Sequence, residues 1–243
     1  VEFYDGASAL GAPAKVENGQ ARLIVFDLSV GLHSVTAHYS GDDNFASSIS
    51  SAISVTTTTK ATDIALTASD YNPAINQSFT LTATLSSQEA TGTVTFKNDG
   101  SPLMSATVSG GVATLSLNTL PAGSYDNLTA EYSGDGNFDP AVSDPAPSVV
   151  VGPQTTNTTL ISSSQISTYG TGFTLTATVA PTVAGGIYAP TGQVVFKDGS
   201  KTLGQGPILA GTATATLSLA GNDLTAGVHS LTASFVTSDG NFT

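Results

Sequence analysis

The residues in this chain best suited to chemistry come in a repeated run. Ser40-Gly41-Asp42-x-Asn44-Phe45 recurs as Ser133-Gly134-Asp135-x-Asn137-Phe138. A third copy reads Asp239-Gly240-Asn241-Phe242. Asp-x-Asn is a fragment of the calcium-loop pattern, in which a short segment presents several oxygens to one ion. A full loop adds a bidentate Glu and further ligands, which are missing here. The same residue types also make a turn. Gly, Asp and Asn tolerate left-handed backbone and cap their own amides, and the Phe then packs inward. The third copy has one extra residue upstream and no Ser-Gly, a drift that suits a turn better than a coordination sphere. The expectation is a hairpin turn between late strands, with no metal site.

Three histidines could act as acids or bases. His33 and His229 share a repeat position, where the middle copy has Tyr125-Asp126-Asn127 with one residue inserted, and His38 aligns with Glu131 and Ser234. No Ser, Asp and His set recurs as a triad, and histidines in separate repeats cannot form one site. They are expected to be polar residues at strand edges. The chain has no cysteine, which excludes disulfides, a thiolate nucleophile and a Cys-ligated metal. The sequence therefore offers no catalytic residue, no cofactor-binding residue and no metal ligand, and the chain is expected not to be an enzyme.

Charge narrows the partners. Six basic residues against eighteen acidic ones give a net charge of −12. Such a surface has no electrostatic footprint for phosphate backbones or anionic lipid, so nucleic acid is disfavoured. No run approaches the roughly 18 apolar residues of a membrane span, and no membrane insertion is expected. Val1 opens directly into a strand pattern without a leader, so the chain reads as an excerpt of something longer. Only 10% of residues are charged, against about 25% in a typical globular protein. Ser and Thr fill the polar surface, a composition that suits an extracellular protein.

The elements that would position these residues repeat as well. Val1–Gly6, Val94–Gly100 and Val194–Gly199 align, and so do the later passages ending at Phe45, Phe138 and Phe242. Phe3 to Phe96 spans 93 residues, as does Asn44 to Asn137. Phe96 to Phe196 spans 100 and Asn137 to Asn241 spans 104, the excess falling in loops such as Thr182–Pro190. A unit of this length is a domain, since solenoid repeats run about 20–50 residues. Each unit reads as short strands of period 2. Phe79–Leu85 sets Phe79, Leu81, Ala83 and Leu85 on one face and threonines on the other, and Phe173–Val179 repeats it. Val94 and Phe96, then Val194 and Phe196, point inward. A turn centred on Gly19, Gly111 or Gly211 follows, and then strands aim Leu23, Leu115 and Leu217 inward. Alternation with turn signals every 8–12 residues predicts antiparallel β-sandwiches.

The pattern of a Val-x-Phe-x-Asp-Gly strand, then Gly-x-Ala-Thr-Leu, then Leu-Thr-Ala-x-Tyr-Ser-Gly-Asp-x-Asn-Phe resembles the bacterial Ig-like repeat of large cell-surface and adhesin-like proteins. The resemblance covers essentially the whole chain and implies an all-β fold, tandem immunoglobulin-like antiparallel β-sandwich domains in a linear array. The antibody-type branch, with its Cys pair and core Trp, is excluded because both are absent. Expected domains are residues 1–57, N-terminally incomplete; 58–152, complete; and 153–243, lacking the C-terminal strand. Missing strands leave open edges, to be completed by the continuing chain or by strand exchange with neighbouring subunits. Linkers at Val55–Asp63 and Val150–Thr159 are short and Thr-rich, which predicts a stiff string of beads.

Within this frame, Tyr39, Tyr132 and Phe235 sit on the inward phase and resemble the tyrosine that braces a corner of many Ig sandwiches. Some surface Ig domains carry Lys–Asn cross-links. Lys97 and Lys197 point outward here, and Lys15, Lys60 and Lys201 lie in turn or linker text, so no isopeptide is expected. Sequons at Asn76, Asn127, Asn157 and Asn241 are of chance frequency in a chain this rich in Ser and Thr. The expected function is a structural stalk or spacer of an extracellular bacterial surface protein. Its partners would be neighbouring Ig-like repeats of the same or an adjacent chain. The alternatives are a module that binds glycan or protein, with Ile187 and Tyr188 in Thr182–Pro190 as contact residues, and a filament subunit built by strand exchange.

Overall fold

A computed structural model describes residues 1–146, 148–209 and 211–243. The regular elements among them are all β-strands, and no helix is long and apolar enough to cross a membrane. The first unit holds β1 (Glu2–Asp5), β2 (Ser8–Ala9), β3 (Gly31–Tyr39), β4 (Ser48–Ile49) and β5 (Ile53–Thr57). They form a single sheet in the order β2-β1-β3-β4, with β5 also paired to β3.

The second unit is a sandwich of β6 (Ile64–Ala68), β7 (Phe79–Leu85), β8 (Thr93–Asn98), β9 (Ser101–Thr107), β10 (Val112–Leu117), β11 (Gly123–Tyr125), β12 (Leu128–Tyr132), β13 (Ala141–Val142) and β14 (Val149–Val151). One sheet runs β10-β7-β6, the other β13-β12-β8-β9, and β11 pairs with β14. The alternation read from Phe79–Leu85 drives this arrangement. Phe79, Leu81, Ala83 and Leu85 are buried, and the register sets Leu81 opposite Leu115 and Ala83 opposite Leu66. Across the sandwich they meet Val94, Phe96, Leu128 and Tyr132, all fully buried in one cluster. The turn before β10 uses Gly111 at φ +75°, and a Cβ there would run into the Ser87 carbonyl.

The third unit repeats the plan with β15 (Thr156–Ser162), β16 (Phe173–Pro181), β17 (Gly192–Asp198), β18 (Lys201–Pro207), β19 (Thr214–Leu219) and β20 (Leu231–Thr237). Its sheets run β15-β16-β19 and β18-β17-β20, around Leu175, Val179, Val194 and Phe196.

The structure corrects several expectations. The Ala21–Val25 run forms no strand, and Ile24 and Phe26 are exposed, Phe26 at 90%. In the second unit the matching strand, β10, lies against β7. No described strand of the first unit offers that edge, so alternation alone does not order the run. The linkers are shorter than expected. β5 extends to Thr57, β14 takes Val150 and Val151, and β15 starts at Thr156. Lys60 pairs with Phe138 and Gln154 with Phe242 in isolated parallel bridges, so each linker is tied to the unit that follows it.

Candidate functional site

The Ser-Gly-Asp-x-Asn-Phe run joins β12 to β13, which pair antiparallel. Asp135 caps it from within. Its Oδ1 accepts the amides of Asn137 (2.8 Å) and Phe138 (2.9 Å), and its Oδ2 accepts the Thr91 amide (2.7 Å) and hydroxyl (2.8 Å). Burial alone would raise the Asp135 pKa, but these four donors pull the carboxyl well below its usual range. Asp42 repeats the cap on Asn44 and Phe45 and takes the Tyr39 hydroxyl at 2.6 Å. Asp239 caps Asn241 and accepts the hydroxyls of Thr191 and Thr237. N–H and O–H donors occupy both oxygens of each carboxylate, the geometry of a turn. No cluster of three or more His, Cys, Asp or Glu capable of holding a metal occurs among the described residues. Phe138 and Phe242 are buried, but Phe45 is 68% exposed and does not pack inward.

The histidines at the shared position do more than sit at a strand edge. His33 is buried (6% exposed) and sets Nδ1 2.7 Å from Asp5 Oδ2 and Nε2 2.7 Å from the Ser29 carbonyl. Asp5 Oδ1 also takes the Ser34 amide at 2.9 Å. The third unit repeats the arrangement. His229 lies 2.7 Å from Asp198 and 2.9 Å from the Thr225 carbonyl, and Asp198 accepts the Ser230 amide. In the second unit Asn127 donates to Asp99 at 2.7 Å. This clasp ties the turn after one strand to the start of a later one. The sequence carried its signal: an Asp-Gly after each Phe strand (Asp5, Asp99, Asp198), with His, Asn and His in step. The Asp5 hydrogen bond first, and the Ser29 carbonyl second, raise the His33 pKa; His33 in turn lowers that of Asp5. For His229 the Thr225 carbonyl leads and Asp198 follows, again raising it. His38 takes no part: it stacks against Tyr4, with ring centroids 4.4 Å apart.

Tyr132 is fully buried, and its hydroxyl has no hydrogen-bond partner. Burial, with the nearby Asp135 adding to it, pushes its pKa up to about 12. Lys97 lies on the outer face beside Glu131 of the neighbouring strand, forming a surface ion pair. The Asn76 and Asn241 side chains are engaged within the protein: Asn76 is buried, and Asn241 Oδ1 accepts the Ala122 amide.

The Thr182–Pro190 loop does not reach outward with both of its large side chains. Ile187 is 63% exposed, but Tyr188 turns back and donates its hydroxyl to the Thr119 carbonyl of the second unit at 2.8 Å. A cleft of about 550 Å³ lies in the third unit between the Ser162–Phe173 segment and Ala220–Leu231. Its one imidazole, His229, has both nitrogens engaged and cannot serve as a free base. In the second unit the corresponding place is taken by β14, which pairs with β11; Val150 donates to the Tyr71 carbonyl, and Gly152 just beyond the strand donates to that of Pro73.

Three successive stretches, residues 1–58, 66–152 and 159–243, match the family model of the bacterial Ig-like domain (group 3). The chain belongs to that family. A search of curated proteins finds no match. Among solved structures, the chain is similar to the human OSCAR ligand-binding domain, at 15% identity over 65% of this chain and 82% of that one, TM-score 0.27. It is also similar to the fibronectin(III)-like modules of Clostridium thermocellum CbhA, at 17% identity over 70% and 84%, TM-score 0.26. A third is the Yersinia pseudotuberculosis adhesin InvE, at 18% identity over 66% and 51%, TM-score 0.35.

Proposed function

We propose that this chain is a spacer: a run of Ig-like units that holds other parts of an extracellular bacterial surface protein, of adhesin-like type, away from the cell. It acts mechanically and not as an enzyme. One observation carries the reading. The features that recur are apolar core positions, in the second and third units, and, in all three, polar groups satisfied within the chain. Asp42, Asp135 and Asp239 cap their own turns, and His33 and His229 are held between a carboxylate and a carbonyl. A binding or catalytic array would repeat polar groups left free for a ligand.

Small-angle scattering on the whole chain tests the proposal. A compact body of this length has a radius of gyration of about 18 Å. A spacer gives a clearly larger value with an elongated distance distribution. A value near the compact one, or the flexible profile of freely jointed beads, would sink the proposal. A glycan array is expected to stay blank. Specific binding lost on deleting the Thr182–Pro190 loop would favour a binding module instead.

A further inference from the structure

The two joints of this chain are built differently. At the second, Asn76 of the second unit sits in left-handed backbone (φ +67°) and is 9% exposed. Its side-chain amide faces the Tyr188 backbone in both directions. Nδ2 donates to the Tyr188 carbonyl and Oδ1 accepts the Tyr188 amide, each at 3.1 Å. Nδ2 also lies 3.4 Å from Oε1 of Gln154, the linker residue, which is 3% exposed. Gln154 in turn donates to the Val183 carbonyl at 3.1 Å. Two further bonds cross: Tyr188 hydroxyl to Thr119, and the Ala122 amide to Asn241. Phe242, fully buried, belongs to the same apolar cluster as the second unit's core, so the core continues through the joint. The loop approaches Asn76 at Gly186, where a Cβ would overlap the Asn76 side chain.

The first joint has none of this. Among the described residues no hydrogen bond links residues 1–57 to the second unit. Lys60 bonds to the second unit's own turn, through Asn137 and Asp139, and to the Thr62 hydroxyl, and Thr59 donates to Asp139. The loop that would make a clasp there is shorter. Seven residues separate β7 from β8, against ten between β16 and β17, and the seven contain no aromatic side chain.

We infer that the second joint is a lock and the first a hinge. Asn76 is the keeper, and the Gly186–Tyr188 segment of the third unit is the bolt. The second and third units then move as one body, and bending concentrates where β5 ends, at Thr57 and Thr58, just ahead of the residues tied to the second unit. A side-chain amide paired both ways with a backbone amide fixes direction as well as distance. Opening the joint would trade these bonds for water and uncover Phe242, which makes opening costly. The inference deepens the spacer reading and rests on it only for its use.

The chain has no cysteine, so spin labels can be placed at will. One pair, Thr114→Cys with Thr216→Cys, spans the second joint; another, Ser54→Cys with Thr114→Cys, spans the first. All three positions are exposed. Pulsed dipolar spectroscopy on the full chain is expected to give a narrow distance distribution across the second joint and a broad one across the first. Asn76→Gly keeps the left-handed backbone and removes the keeper. It should broaden the second distribution until it matches the first, while circular dichroism still shows folded units. Gly186→Val should do the same by collision. Equal widths in the unmodified chain, or a second distribution that stays narrow in Asn76→Gly, overturns the lock. An elongated scattering profile alongside that result would leave the spacer reading standing.

Discussion

An imidazole whose two nitrogens both face acceptors is satisfied only when it carries two protons. His33, between Asp5 and the Ser29 carbonyl, is in that position. Its folded pKa is raised, so its contribution is fully present below the unfolded value of about 6.5 and is lost as pH rises through the raised folded value. The Asp5 pKa is lowered. Its share is present above about 3.9 and is lost as pH falls through the lowered folded value. The clasp is therefore strongest between about pH 4 and 6.5. Proton NMR titration is expected to place the His33 midpoint above that of a free imidazole and to move it down in Asp5→Asn. An unmoved midpoint would show that the pair is not coupled. Tyr132 argues differently. The ring fills the core, but its hydroxyl has no partner, and the third unit has Phe235 at this place. Tyr132→Phe should change stability by less than about 1 kcal/mol, since no hydrogen bond is lost. Tyr132→Ala should cost about 3–5 kcal/mol. Urea melts of the whole chain, followed by circular dichroism, separate the two; equal losses would contradict this account of the ring.

Among the elements, β7 carries the clearest division of labour. Leu81 is fully buried and Thr82 faces out on the same strand. Leu81→Ala should destabilise the second unit by about 2–5 kcal/mol, and Thr82→Ala by no more than about 0.5 kcal/mol. If the two melted alike, the inward phase assigned to the strand would be wrong. This phase was legible in the sequence because a strand alternates whatever its neighbours do. The same holds for β8, β12, β16 and β17 and for the Asp-capped turns, whose bonds are local. Alternation could not say whether a partner edge exists. Ala21–Val25 has the pattern of β10 but no counterpart of β7 beside it, and it stays irregular. Contacts across units were equally hidden. Asn76 and Tyr188 lie 112 residues apart, and nothing in the period of either segment points to the other. The His–Asp clasp lies between these cases. Its residues recur in step, but their meeting depends on the pairing of β1 with β3 and of β17 with β20.

Across the whole molecule, burial is unevenly shared, and that sets an order of unfolding. The second unit closes two sheets over Leu81, Phe96, Leu128 and Tyr132, and Phe242 extends its cluster into the third. The third has its own smaller cluster. In residues 1–57, His33 is the one buried side chain among the described residues, and Phe26, Leu32 and Phe45 are largely exposed. Each large apolar side chain left in water forfeits roughly 1.5–3 kcal/mol of burial, so the single sheet of the first unit has little to hold its backbone hydrogen bonds closed. Local opening free energy follows buried apolar contact. Hydrogen exchange read by mass spectrometry should therefore find β1 and β3 exchanging first. Slower exchange follows in β17 and β20, and the slowest in β7, β8 and β12. Asn76→Gly gives the order a second reading. With the joint intact, opening the third unit uncovers Phe242 against the second unit's core, so protection in β16 and β17 draws on both units. Releasing the keeper should speed exchange in the third unit while leaving β7 unchanged. Protection of β3 equal to that of β7 would mean that the first unit is held by something other than its own buried side chains.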